Sequence, residues 1–563
     1  MDRPLRVGVL LDGGSIRAWQ HRALAELALE PGVRLDVAVW LAGAPVPTTR
    51  GLAVRAYERL DRAVFRFPND PLSPVAASDL LGDLASIVAR AISRPGGFEL
   101  DSGTLAELRA RDLDVLLQLG GGSLGGDVLD VARLGLWSFA HDELARRGGV
   151  PFLAEITSAA ETTETLLVAR SSGGTRVLLR SFSSTDVYSL HRNRTRALWK
   201  AALLPARASA AFAAGRSPPF DGSVPEPAYH EPPARGQNGF AVARHGAKMA
   251  TRVVRNRARM RLRDRVWFIA VRRRGTLPID ADPLAGFQPI PCPEDRFHAD
   301  PMLVEVGGEH HLFFEDADRQ SGIGAISWCA IRPDGSPGPV RRVLEGDAHL
   351  SYPFVFPWRG AFYMIPETSE KRTVELYRAT DFPLRWQLEK VLFRDVAAVD
   401  TTIFEHHGRL WLFTAMSPSG GSLNDELFLL HADDVGGDWV PHPMNPIVSD
   451  VRRARPAGPL FWEGSTLYRP GQDCAADYGA AFWMNRVDVL DEKEYRETPV
   501  RRIDASWWPG GVCSHTYTRA GDFEAMDNRV WLARGAAWRP RQDSSLRPLA
   551  PEAPATPAAQ PVR

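Results

Sequence analysis

The chain has 563 residues, and its 68 Lys+Arg balance its 68 Asp+Glu, so the formal net charge is zero. At about 100–200 residues per domain, that length predicts two to four domains, each able to bury a core. A zero balance excludes a chain whose whole surface is a nucleic-acid footprint, which needs a basic excess, and no nucleic-acid partner is expected.

Four cysteines (Cys292, Cys329, Cys474, Cys513) are too few for a disulfide scaffold and form no Cys-x-x-Cys pair, so no metal site is expected. Residues 1–14 open directly on a strand pattern and lack the apolar core and cleavage site of a signal peptide. No run of 18 apolar residues occurs, which argues against a membrane-crossing helix. The expected compartment is the cytoplasm. No motif specifies a cofactor, and the oligomeric state is open.

In chain order, residues 5–11 form a short apolar run, followed by Asp12-Gly13-Gly14 and a helical pattern from Trp19 to Leu29. Residues 35–40 and 113–119 read as further buried strands, the second ending in Gly120-Gly121-Gly122. Strands alternating with helices predict a mostly parallel α/β domain over 1–204. The glycine turn at 120–126 offers backbone N–H groups to an anion but lacks the lysine of a P-loop, and a plain strand-to-helix turn is the simpler reading.

Residues 205–237 are rich in Ala, Pro, Gly and Ser and predict the start of a linker, 205–265. Its second half, 241–265, carries Arg244, Lys248, Arg252, Arg255, Arg257, Arg259, Arg261, Arg263 and Arg265, with Val242, Met249, Val253, Met260 and Leu262 between them. That pattern fits either a solvated linker helix or a basic helix making peripheral contact with an anionic membrane. Residues 266–536 then read as all-β, and the Pro/Ala-rich tail 537–563 as disordered.

The β region repeats. Asp300–Gly308, Tyr352–Gly360 and Asp400–Gly408 align without gaps, a glycine lying eight residues after each polar starter and an apolar strand following it. The starters are 52 and 48 residues apart; a weaker copy begins at Arg455 and a fifth near His515. A period near 50 made of short strands predicts a five-bladed β-propeller. The fold class is therefore multidomain, α/β plus all-β.

The first strand of each blade lines the channel, so Asp300, Tyr352 and Asp400 are expected around one funnel. Glu315 and Glu367 each lie fifteen residues after a starter and are candidates for a second carboxylate. Converging acids suit glycoside chemistry, one acting as base and another as acid; the alternative is that starter acids only cap turns. Asp300, Asp400 and Glu367 are the candidate catalytic residues. His298, two positions before Asp300, is expected on the same strand face and able to tune its carboxyl. Gln472, Asp473 and Tyr478 offer the polar groups and ring face that a sugar requires. With Glu315, Tyr352, Arg455 and His515 they complete the expected binding set.

His349–Phe356, Ile365-Pro366-Glu367, Glu375–Arg378 with Asp381–Pro383, and Leu467–Cys474 with Tyr478-Gly479 resemble the N-terminal domain of plant glucosamine inositolphosphorylceramide transferases. The resemblance covers roughly 267–535. That domain in turn resembles five-bladed furanosidase-type propellers, where the acid of a blade-one Asp-Pro step acts as base or nucleophile; Asp300 before Pro301 matches, and Asp400 resembles the blade-three acid with Thr401 in place of proline. In the plant enzymes sugar transfer is assigned to a separate glycosyltransferase domain, so the resemblance implies carbohydrate or glycolipid handling rather than a particular reaction.

Residues 113–119 with their glycine turn, then Asp130–His141, resemble the formyltransferase fold of methionyl-tRNA and sugar-amine formyltransferases. The resemblance implies an Asn-x-His pair and a later Asp; here Ser138 stands at the Asn position, Ala140 at the His position with His141 one residue late, and 171–174 hold no acid. A formyltransferase-like domain without formyl transfer is expected, with Ser138 and His141 marking its pocket. Two readings stay open for the whole chain: a carbohydrate-active enzyme, or a glycan-binding module without catalysis. A formyl or acyl transferase acting on an amino sugar is a third. The expected partner is a carbohydrate or nucleotide-sugar.

Overall fold

The computed structural model describes residues 3–12, 16–42, 52–67, 69–94, 97–120, 123–142, 150–218 and 239–536. The glycine positions 13–14 and 121–122, residues 219–238 of the expected linker and the tail 537–563 lie outside the described residues.

The N-terminal region is built on an eight-stranded sheet: β1 (Leu5–Asp12), β2 (Val33–Ala42), β3 (Ala85–Arg94), β4 (Gly97–Leu100), β5 (Val115–Gln118), β6 (Leu136–Phe139), β7 (Thr162–Ser171) and β8 (Gly174–Ser184). Their spatial order is β8-β7-β6-β5-β1-β2-β3-β4. The five central strands are parallel and the edges antiparallel. Both faces of β1 are buried: Leu5, Val7, Val9 and Leu11 enter one apolar cluster and Leu10 the other. A strand covered on both faces reads as a continuous apolar run, which is why it was visible in sequence.

The expected boundary at 205 is corrected. Leu204–Ala213 is a helix with proline in its first turn, and Ala206, Ala208, Ala211 and Phe212 join the core of the α/β domain. Alanines supply little apolar area, so the segment read as linker, yet their small size lets a helix lie close against a sheet. Gly239–Leu262 forms one helix of 24 residues. Its positions 254–262 are exposed, and Arg259 lies 4.3 Å over the Trp531 ring. Among the described residues no helix is long and apolar enough to cross a membrane.

From 263 onward the chain forms five antiparallel sheets arranged as propeller blades. The first four have innermost strands Arg296–Val306, Ser351–Trp358, Ala398–His406 and Phe461–Glu463. The fifth closes the ring with strands from both ends of the region: Arg263–Arg273 pairs along its length with Phe523–Ala533, which pairs with Tyr517–Ala520. Blade count and class agree with the repeat arithmetic.

The two regions touch through β8. Phe182 N–H donates to Ser449 O at 3.1 Å, and Phe182 O accepts from Val451 N at 3.2 Å. Arg207 on the Leu204–Ala213 helix makes a two-pronged pair with Glu426 at 2.6 and 2.9 Å.

Candidate functional site

Asp300, Tyr352 and Asp400 share more than register. Their φ angles are +51°, +42° and +51°. Each sits where its strand pairing slips, between 299 and 302, 351 and 354, and 399 and 402. A left-handed non-glycine residue costs on the order of 1 kcal/mol or more, so three in equivalent places mark a constrained ring.

The slip has a further effect. Residues 299, 351 and 399, just before the starters, pair with Glu315, Glu367 and Ala415 on the second strands. In blade four Gln472 N–H bonds Arg455 O, and in blade five Asp527 N–H bonds Thr516 O. A second-strand ring of Glu315, Glu367, Ala415, Gln472 and Asp527 therefore lies beside the starters.

Arg455 ties this ring together. Its Nε and Nη2 donate to Asp400 at 2.6 and 3.0 Å, Nη2 also donates to Glu367 at 3.0 Å, and Nη1 donates to Asn424 at 3.2 Å. Gln472 Nε2 donates to Asp400 at 2.7 Å. Burial pushes the Asp400 carboxyl up against the pull of the Arg455 guanidinium. Three N–H donors face its two oxygens, and a protonated carboxyl would turn one donor toward its own O–H, so the ionised form fits. The Arg455 guanidinium lies 5.0 Å over the Tyr478 ring.

Asp300 accepts from Thr516 Oγ1 at 2.8 Å and from Tyr352 N at 3.3 Å, while its own N–H donates to Asp527 at 3.2 Å. His515 lies between the two acids, Nδ1 at 2.6 Å from Asp527 and Nε2 at 3.6 Å from Asp300. It stacks on Trp267 at 4.2 Å and meets the edge of Tyr478 at 5.3 Å. Burial alone would lower the His515 pKa; Asp527 and Asp300 raise it. Burial raises Asp300, partly countered by His515. Gly479 makes room for the imidazole: its φ is +60°, and a Cβ there would come within 2.6 Å of His515.

Glu315 differs from the other acids. Its closest basic atom is His349 Nε2 at 3.6 Å. Burial first, then the charges of Asp300, Glu367, Asp527 and Asp400, push its carboxyl well above 4.5. A buried acid surrounded by carboxylates holds its proton more tightly than a free one. Because the folded state holds this proton more tightly than the unfolded chain, the stability it contributes is complete below pH 4.5 and is lost as pH rises through the folded pKa. Thermal unfolding of the propeller, followed by tryptophan fluorescence, should therefore show wild type losing ground to Glu315→Gln as pH rises above 4.5. Parallel pH curves for the two proteins would refute the assignment.

Several sequence expectations need correction. His298 does not tune Asp300: its Nε2 lies 3.5 Å from Asp316, because the slip at Asp300 breaks the two-residue alternation of side chains. The Tyr352 hydroxyl bonds Thr402 at 2.8 Å and accepts from Gly458 N at 2.9 Å, so the ring is a packing element and only its backbone reaches Asp300. Asp473 points to Arg502 at 2.8 Å and not to the carboxylate ring, as alternation from Gln472 requires. In the α/β domain Ser138 is buried in β6, and His141 is boxed by Trp19, Phe139 and Phe152 at 5.7, 5.3 and 5.1 Å; the pair marks core packing and not the rim of a pocket. Asp527, Thr516 and Trp267 escaped the sequence reading. The second-strand acid position was the signal for Asp527, but the shorter hairpin of blade five moves it out of the fifteen-residue offset; Thr516 and Trp267 had no signal.

Asp300, His515 and Asp527 each offer a ligand atom, all within 4.8 Å of one another. One imidazole nitrogen and two carboxylate oxygens could hold a divalent cation. No sequence spacing announced this set, because its members come from opposite ends of the ring.

Residues 289–507 match the family described as glucosamine inositolphosphorylceramide transferase 1, N-terminal. The Arabidopsis thaliana enzyme of that name is 39% identical over 235 residues, covering 39% of this chain and 30% of the relative. Its Oryza sativa subsp. indica counterpart is 37% identical over 209 residues, covering 36% and 28%. The chain thus spans under a third of the length of these relatives. Among solved structures, a family 117 glycoside hydrolase of Zobellia galactanivorans aligns over 50% of this chain and 99% of its own, at 11% identity and a TM-score of 0.32. The α-L-arabinofuranosidase of Podospora anserina aligns over 40% and 78%, at 14% identity and a TM-score of 0.31. The structural likenesses are distant; the sequence match is not, and over 289–507 the propeller resembles the N-terminal domain of the glucosamine inositolphosphorylceramide transferases.

Proposed function

We propose that this chain is a carbohydrate-active protein whose propeller funnel carries out glycosyl transfer or hydrolysis. The observation that carries the proposal is the meeting of Asp300, Glu315, Glu367, Asp400 and Asp527 around Arg455 and His515. Within that group the acids divide by environment. Glu315 keeps its proton and serves as general acid; Asp300, held by Thr516 and Tyr352, serves as base or nucleophile. Asp400 and Glu367 are engaged by Arg455 and orient the group instead of exchanging protons. Of the two second-carboxylate candidates, Glu315 and Glu367, this reading gives the acid's role to Glu315, which stood in the expected binding set and not among the candidate catalytic residues. Tyr478 supplies a ring face for a sugar, while Trp267 is stacked on His515 and backs the imidazole. The relatives carry the name glucosamine inositolphosphorylceramide transferase, which supports a carbohydrate or glycolipid ligand. A nucleotide-sugar is one candidate donor.

The test is a panel of furanosides, amino sugars, glycolipids and nucleotide-sugars, screened by thermal shift and then by product release. Turnover lost in Glu315→Gln supports catalysis. Binding without turnover would assign a glycan-binding module. No binding to any member would refute the reading.

For the α/β domain we propose a formyltransferase-like fold that transfers no formyl group. Ser138 and Ala140 cannot supply the amide and imidazole that polarise and deprotonate in that chemistry, and the aromatic box around His141 supports a packing role. Purified protein should transfer no formyl group from formyl-tetrahydrofolate to amino sugars. Turnover above background that disappears in His141→Ala would overturn this.

A further inference from the structure

We infer that the α/β domain positions Arg455, acting as a clamp on the two loops that hold this side chain in the funnel. The first loop is 424–426. Asn424 accepts from Arg455 Nη1 at 3.2 Å. The next two residues are gripped from outside the propeller: Asp425 lies 3.5 Å from Lys200 Nζ, both side chains being buried, and Glu426 takes the fork of Arg207. Burial would push Glu426 up, but Arg207 more than offsets it and holds the carboxyl below its ordinary value. The second loop is 449–455, which ends on Arg455 itself. Ser449 O, Val451 N and the Asp450 backbone are bracketed by Phe182 of β8, in a two-residue parallel bridge. Arg452 lies 4.1 Å over the Phe182 ring.

The two grips are joined. Ser449 Oγ donates to Glu426 at 3.0 Å and lies 2.9 Å from Ser181 Oγ. Lys200 Nζ donates to Phe182 O, the same carbonyl that receives Val451 N–H. A side chain held by two loops keeps its place only while the loops keep their spacing, and here both are fixed to one outside body. Charged groups with partners this buried are costly to leave unpaired, so each grip is stiff. The inference holds whether the funnel turns over a sugar or only binds one.

The full chain, labelled with 15N at arginine Nε, tests it. The buried Arg455 Nε–H, donated to Asp400 at 2.6 Å, should exchange slowly with solvent and is identified by its loss in Arg455→Lys. Arg272 Nε–H, donated to Glu524 at 2.6 Å in the fifth blade, serves as control. Arg207→Gln should speed exchange at Arg455 at least about tenfold and leave Arg272 unchanged. Lys200→Met should do the same to a lesser degree, and it stands in if Arg207→Gln does not fold. Unchanged exchange at Arg455 overturns the proposal. Equal acceleration at Arg272 also counts against it, since the propeller as a whole would then have loosened.

Discussion

Replacing Asp300 by Asn should lower turnover about a thousandfold while leaving the fold intact, the range expected when a general base is removed. The substitution is unusually clean here. Asn tolerates the left-handed backbone at +51° and fills the same volume. Its carbonyl still accepts from Thr516 or Tyr352. Removing one of five clustered carboxylates also relieves repulsion on Glu315, whose carboxyl is raised in part by Asp300. Any loss of rate therefore reflects missing chemistry, not lost structure. Kinetics on the substrate identified by the panel, with unfolding measured in parallel, decide the matter. Retained turnover would remove Asp300 from the mechanism. If the protein only binds its sugar, affinity should fall modestly with no rate to lose.

Arg455→Met should cost about 3–5 kcal/mol of propeller stability, the penalty for stranding buried charge. The guanidinium serves Asp400 twice and Glu367 once, and both acids would be left in the interior without a cation. Protonation can substitute for the missing charge, so the deficit should shrink as pH falls. Adding Asp400→Asn should recover part of it, a coupling that a double-mutant cycle in denaturant would read directly. A loss near 1 kcal/mol, independent of pH, would reduce Arg455 to the status of a surface pair.

The propeller was legible because its signal is arithmetic: an eight-residue interval from Asp300, Tyr352 and Asp400 to glycine, repeated near 50 residues. Convergence followed from closure. Side-chain direction away from the starters did not, because the slip at each starter reverses the alternation on which strand reading depends, and His298 was misassigned for that reason; Tyr352 stands in the ring, but its long side chain carries the hydroxyl past it to Thr402 and Gly458. Arg455 appeared as the start of a weak repeat and as one of the expected binding residues, but not as the partner of Asp400; nothing local in sequence shows that a cation will land between two acids 55 and 88 positions away. The alanine-rich helix at 204–213 was missed because composition weighs apolar bulk, whereas close helix–sheet contact rewards its absence.

The closing blade sets a schedule for the nascent protein. Its strand Arg263–Arg273 has no full-length partner until Phe523–Ala533 emerges, and Asp300 bonds an acid 227 positions later. At about 5–20 residues per second, translation takes roughly ten to forty-five seconds to cover that interval. Until it ends, the earlier blades form an open arc with a bare edge on either side, and Asp300 has neither His515 nor Asp527 beside it. The pairing of Asp300 with His515 and Asp527 is thus completed last, by the blade that also makes the ring continuous.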